Sequence, residues 1–316
     1  MEYTIYDGML IALGVMILGC SFAIPALAFI TEITGMLRAR IFIDKFAQQT
    51  ARLGLLFVYA LGLAITAAWT ASRYITDFYL PEITGFWIEY EIFWDFCLYL
   101  SILSILLFST YFFLWNRMRR VKSLHAFTGV LAVIAVKILL ALLIWAFYRE
   151  LMVIPEVIPE LDSIFLPILS QIYLLSLAAA AVLSLVYLLL RRNRDDFGRD
   201  YYRFALSFGA KWGILFSVFS PFACVWLYLI MDGKFDFSYT AISGAVYALT
   251  LIVMTLILWR VAVSDQPIRK KALLTLCPVL VWIIFVARMV SYLEFANMDA
   301  GKTIIYTFVR DWPVLF

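Results

Sequence analysis

Apolar residues fill the chain in long blocks separated by short polar stretches, and the blocks are too long and too uniform for strands or for one face of a surface helix. A helix that crosses the hydrocarbon of a bilayer needs about 20 mostly apolar residues. Eight blocks meet that length, near 9–31, 53–72, 92–115, 127–148, 164–190, 206–231, 241–263 and 272–296. The pattern predicts an all-α, polytopic membrane protein with eight transmembrane helices. The longest connections, near 73–91 and 149–163, are too short for a soluble domain, so extramembrane chemistry is expected from partner chains. The first block follows Glu2 and Asp7 and lacks a basic start and a small-residue cleavage pattern, so it reads as a retained helix and not a signal peptide.

Composition agrees with the pattern. Hydrophobic residues are 65% of the 316 and charged residues 15%, far from a soluble domain whose surface must be charged. The charges are sorted by loop. Arg38, Arg40, Lys45 and Arg52 follow the first block, and Arg117, Arg119, Arg120 and Lys122 follow the third. Arg191, Arg192, Arg194, Arg199 and Arg203 follow the fifth, and Arg260, Arg269, Lys270 and Lys271 the seventh. The alternate loops are acidic, with Asp77, Glu82, Glu89 and Glu91, then Glu150, Glu156, Glu160 and Asp162. Basic loops stay on the cytoplasmic side, so both termini are expected outside. The net charge of +3 then reflects topology, and nucleic-acid binding is excluded.

Cys20, Cys97, Cys224 and Cys277 sit singly in four different blocks, with no C-x-x-C and no C-x-x-C-H. Such isolated thiols read as small packing residues, without support for disulfide redox chemistry, iron–sulfur ligation or covalent haem.

A repeat is visible. "TARLGLLFVYALG" (50–62) opens the second helix and "GAKWGILFSVFSP" (209–221) the sixth, so that Arg52 falls on Lys211, Gly54 on Gly213, Leu56 on Leu215 and Phe57 on Phe216. Chance likeness between apolar segments sharing an interfacial cation is the competing explanation. The expected organisation is two parallel four-helix repeats, residues 1–150 and 151–316, related by an axis along the membrane normal.

"WNRMRRVKSLHAFTGVLAVIAVKILLALLIWA" (115–146) carries Trp115, Asn116, Arg117, His125 and Gly129, and it resembles the corner between the third and fourth helices in subunit I of cytochrome bd-type quinol oxidases. "FITEITGMLRARIFIDKFAQQTARLGLLFVYALGLAIT" (29–66), with Glu32 closing the first helix and Arg52 opening the second before Ala60, Leu61 and Gly62, resembles that family's first connection on the same side. "YLLLRRNRDDFGRDYYRFALSFGAKWGILF" (187–216) resembles its fifth-to-sixth connection, so the similarity covers roughly residues 1–230. The family holds haem with axial His, Met and Glu side chains in its first, third, fifth and seventh helices. Here the apolar block of the first helix has no His or Glu and the fifth helix no His, and the third offers only Asp95 near where the resemblance implies a Glu, with Phe96 and Ser104 on the closest alignment. The family's long quinol-binding loop is replaced by "DGKFDFSYT" (232–240). The resemblance therefore implies the fold and a setting in respiratory or photosynthetic electron transfer in a bacterial cytoplasmic (inner) membrane. It implies no haem and no cofactor bound by this chain itself, and no oxygen reduction. Expected partners are membrane and redox subunits, cytochromes or iron–sulfur proteins, together with lipids; the chain would be a non-catalytic subunit of an oxidoreductase complex.

His125, the only histidine, is expected at the cytoplasmic boundary beside Lys122, reaching water or lipid headgroups. Lys137 in the fourth block, Arg288 in the eighth and Asp95 near one end of the third are ionisable residues in apolar surroundings, where each costs about 2.5–3.5 kcal/mol on insertion scales and calls for a partner. Lys137 and Arg288 are candidate donors to a quinone carbonyl or an anionic lipid head, within apolar walls of Trp, Tyr and Phe. The same cations equally suit ion pairs that fix a helix interface. Asp95, near Glu89 and Glu91, reads as solvated. "RRNRDDFGRD" (191–200) lacks the second Asp-rich motif that a diphosphate site needs and reads as a solvated hairpin. Trp69, Trp87, Trp94, Trp115, Trp145 and Trp312 fall near helix ends, as a headgroup-level belt would. Pro25, Pro167, Pro221 and Pro278 lie within helices, where each frees a carbonyl. Two other functions fit this sequence: a secondary transporter, from the repeat and intramembrane charges, and a scaffold or assembly subunit with no ligand.

Overall fold

The computed structural model describes residues 5–74, 91–118, 121–152, 163–230 and 237–296. These residues form eight long helices, α1 (Ile5–Arg38), α2 (Ile41–Tyr74), α3 (Glu91–Leu114), α4 (Lys122–Met152), α5 (Phe165–Asp195), α6 (Arg199–Ile230), α7 (Phe237–Val263) and α8 (Lys271–Ala296), with a short 3₁₀ turn at Pro267–Lys270. All eight are long and apolar enough to cross a membrane. With no water in the hydrocarbon, backbone N–H and C=O groups must be paired within the segment, which is what a helix does. Side-chain hydroxyls meet the same demand by bonding back one turn: Thr66 donates to Gly62 O at 2.8 Å, Ser104 to Leu100 O at 2.7 Å and Ser217 to Gly213 O at 2.8 Å.

The helices outrun their apolar blocks. α2 starts at Ile41, well before the apolar run at 53, because the amphipathic stretch Ile41–Arg52 buries Ile43, Phe46 and Ala47 at 0–1% exposure. Only Ala39 and Arg40 join α1 to α2, and Ala39 takes a left-handed φ of 49° to make that reversal. Pro167 falls in the first turn of α5, where its missing N–H has no intrahelical acceptor to lose. Pro25, Pro221 and Pro278 lie inside α1, α6 and α8.

The chain divides into two compact units, one of residues 1–19 with 144–316 and one of residues 20–143. In the first, α5 packs on α6 and α8, α6 on α7, and α7 on α8, a closed four-helix ring. Ala178, Ala179, Ala180 and Ala181 on α5 are all buried, as expected of a helix covered on every side. The early part of α1 belongs here: a Cβ at Gly8 would lie 2.8 Å from Val290 Cγ2, and one at Gly19 would collide with Ser176. Gly213 admits Leu258 in the same way, at 2.8 Å, bringing α6 against α7.

In the unit of residues 20–143, the rest of α1 meets α2 where Ser21 Oγ donates to Phe57 O at 3.1 Å. A Cβ at Gly54 would lie 3.0 Å from the Phe108 ring, which joins α2 to α3. One at Gly129 would lie 2.8 Å from the Tyr111 ring and 3.0 Å from Phe29, which joins α4 to α3 and α1. Asp44 and Lys122 pair at 3.2 Å near the helix ends.

Candidate functional site

Two buried polar clusters stand out, one in each unit. In the unit of residues 20–143, His125 lies among α1, α3 and α4. Its Nδ1 is 2.6 Å from Glu32 Oε1, and its Nε2 is 2.8 Å from Tyr111 O. Tyr111 Oη donates to the other carboxyl oxygen, Glu32 Oε2, at 2.7 Å. The Tyr111 ring stacks on the imidazole at 4.6 Å between centroids, and Trp115 meets it edge-on at 4.8 Å. His125 and Glu32 are each 2% exposed.

This overturns the expectation of an imidazole reaching water or headgroups. The cause is the end of α3. Tyr111 O is among the last four carbonyls of that helix, which lack regular intrahelical partners. Trp115 N–H turns to Phe112 O at 3.3 Å, and His125 supplies the donor that Tyr111 O needs. Nε2 donates to the Tyr111 carbonyl, which can only accept, and Nδ1 and Glu32 Oε1 share the second hydrogen bond. Trp115, at 4% exposed, and Trp94, at 8%, are packed inside the chain and do not belong to a lipid-facing belt. Trp87 and Trp312 lie outside the described residues.

Asp95 accepts from Trp69 Nε1 at 2.6 Å and pairs with Arg73 Nη2 at 2.7 Å. It is therefore an α2–α3 tie, half-buried, where the sequence suggested a solvated carboxylate. The hairpin at 191–200 is held from within, by Arg191 pairing with Asp195 at 2.6 Å.

The second cluster lies in the other unit and draws on all four helices of the ring. Arg288 of α8 is 8% exposed and Gln171 of α5 is fully buried. Gln171 Oε1 accepts from Arg288 Nη2 at 2.8 Å and from Tyr292 Oη at 2.5 Å. Its Nε2 donates to Cys224 Sγ of α6 at 2.8 Å. The Arg288 guanidinium carbon sits 4.8 Å from the centre of the Tyr292 ring and 5.2 Å from that of Tyr247 on α7, within cation–π range. Tyr247 Oη and Ser220 Oγ share a hydrogen bond of 2.9 Å. One turn along α8, Ser291 donates to Ser243 at 2.9 Å, and Ser243 to Glu294 at 2.9 Å.

Arg288 Nε is buried without an acceptor, and among the described residues no carboxylate pairs with this guanidinium. A buried cation in that state is expensive, and the arrangement offers donors and a positive charge to whatever enters. Lys137, the other candidate, lies on an exposed face of α4 in the unit of residues 20–143. The two cations are thus in different units and different surroundings. Among the described residues no three His, Cys, Asp or Glu side chains converge as metal ligands.

Sequence reasoning found Arg288 from its charge but missed Gln171, Tyr247 and Tyr292. A signal was present for one of them, since Gln171 is the only amide side chain within any of the eight apolar blocks.

Eight membrane-length helices around buried polar clusters are the features of a multi-pass membrane protein. No protein-family model, curated protein or solved structure matches the chain.

Proposed function

We infer that this chain is a haem-free membrane subunit of a respiratory or photosynthetic electron-transfer complex in a bacterial cytoplasmic membrane, similar in fold to subunit I of the cytochrome bd-type quinol oxidases. Its helices anchor redox subunits, cytochromes or iron–sulfur proteins, and Arg288 donates to a quinone head group held among α5, α6, α7 and α8. One observation carries the site: a buried guanidinium within range of two tyrosine rings, whose Nε has no acceptor among the described residues. Lys137 is a contact for an anionic lipid or a neighbouring subunit. The parallel repeat is supported by the same phase of burial in the two matched segments, and the outward placement of both termini by the Arg and Lys residues that follow the first, third, fifth and seventh apolar blocks. Arg52 and Lys211 are exposed, Gly54 and Gly213 buried, Leu56 and Leu215 exposed, and Val58 and Ser217 buried.

The test is isolation from the native membrane in mild detergent, with mass spectrometry of the co-purifying proteins and extraction of bound quinone. Stoichiometric redox proteins with quinone, lost in Arg288→Met, support the reading. A lone chain without quinone refutes it. The convergence of polar groups from four helices also suits a secondary transporter, for which the isolated chain would take up solute in liposomes.

A further inference from the structure

The described groups around Arg288 are already in use. Both lone pairs of Gln171 Oε1 take donors, the Tyr292 hydroxyl proton goes to that oxygen, and Tyr247 and Ser220 bond each other. Every one of these partners is electrically neutral, and among the described residues Nε–H still has no acceptor. A neutral carbonyl entering the site would satisfy the N–H and leave the guanidinium without a directly paired anion. An anionic oxygen would satisfy both, through a charge-assisted bond about twice as strong as a neutral one.

We propose that this site takes its ligand as an anion: a quinone-class ring bearing one ionised oxygen, paired to the Arg288 guanidinium. The inference rests on the quinone reading above and adds the charge state of what binds. Tyr247 and Tyr292 serve as the aromatic walls, and the guanidinium selects for negative oxygen.

The experiment measures equilibrium binding to the full-length chain, with any native partners, in nanodiscs of neutral lipid at neutral pH. The probes are 2-hydroxy-1,4-naphthoquinone, which is ionised there, and 2-methoxy-1,4-naphthoquinone, which is not. The expected result is tighter binding of the ionised ring by about tenfold or more, a preference abolished in Arg288→Gln and partly kept in Arg288→Lys. Should Arg288→Gln fail to fold, Tyr292→Phe reports instead, with weaker binding of both rings and the preference intact. Equal affinity for the two rings overturns the charge inference and leaves the quinone reading standing. Binding of neither ring overturns the quinone reading itself. Competition by octyl phosphate at the same concentration as the ionised ring also overturns the proposal, and assigns the site to a lipid headgroup.

Discussion

Replacing Tyr111 with Phe deletes one oxygen and leaves the stacked ring beside His125 in place, so it isolates a single bond, the 2.7 Å donation to Glu32 Oε2. Afterwards Oε2 is buried with no donor, because the other Glu32 oxygen is the one His125 occupies. A hydrogen bond to a charged group contributes about 1.5–3 kcal/mol, whereas hydrogen bonds in membrane bundles average nearer 0.6 and reach about 1.7. With both partners at 0–2% exposure, the cost should fall where these ranges meet, at about 1.5–1.7 kcal/mol, or roughly a 13- to 18-fold change in the unfolding equilibrium. The assay is SDS-driven unfolding in mixed micelles, followed by circular dichroism. Tyr59→Phe is the internal comparison, because it deletes a neutral, exposed bond of 3.0 Å to Ser109 and should cost about 0.5 kcal/mol. If Tyr111→Phe costs no more than Tyr59→Phe, the reasoning that burial makes the Glu32 cluster a keystone is refuted.

Gly129→Ala should destabilise by about 1–3 kcal/mol, because its methyl group would press on the rigid Tyr111 and Phe29 rings. Gly14→Ala, with nothing within 4 Å of the new carbon, should be neutral or gain up to about 1 kcal/mol of helix propensity; thermal midpoints of the two variants in detergent check the contrast. Asp95→Asn removes the charge that holds Arg73, and its unfolding midpoint should shift by less than that of Tyr111→Phe, since this pair is half-exposed. Quinone extracted from the purified complex should fall severalfold in Arg288→Met and stay unchanged in Lys137→Met; the reverse order would move the site to α4.

The eight helices were legible because a run of about 20 apolar residues has few alternatives. Their ends were less so, since hydropathy marks the hydrocarbon span and not the helix. The stretch Ile41–Arg52 stayed helical through Asp44, Lys45 and Gln48 by burying the face that carries Ile43, Phe46 and Ala47. His125 was misplaced because its partner Glu32 is 93 residues away and the carbonyl it caps belongs to a third helix. Charge at the end of an apolar block looked interfacial, and nothing local said that the chain would fold over it. Arg288 was legible as a charge in an apolar block. Its setting was not, because Gln171, Tyr247 and Tyr292 are uncharged and Gln171 is 117 residues distant.

The two clusters differ in what folding leaves over. Around His125 every donor and acceptor has a match: two ring nitrogens, two carboxyl oxygens, a phenol and a helix-end carbonyl. Tyr111 and Trp115 cover the ring as well. Such a set is complete, and any ligand entering it would have to break a bond that the fold already makes. Around Arg288 the described residues supply neutral acceptors only, and they run out before the guanidinium is satisfied. A buried group that a protein leaves unsatisfied at membrane depth lowers stability unless something from outside completes it. The sequence marked Arg288 by its charge, and the hydrogen-bond balance among the described residues points to the same arginine. The balance adds to that charge a guanidinium N–H whose acceptor the described residues do not supply.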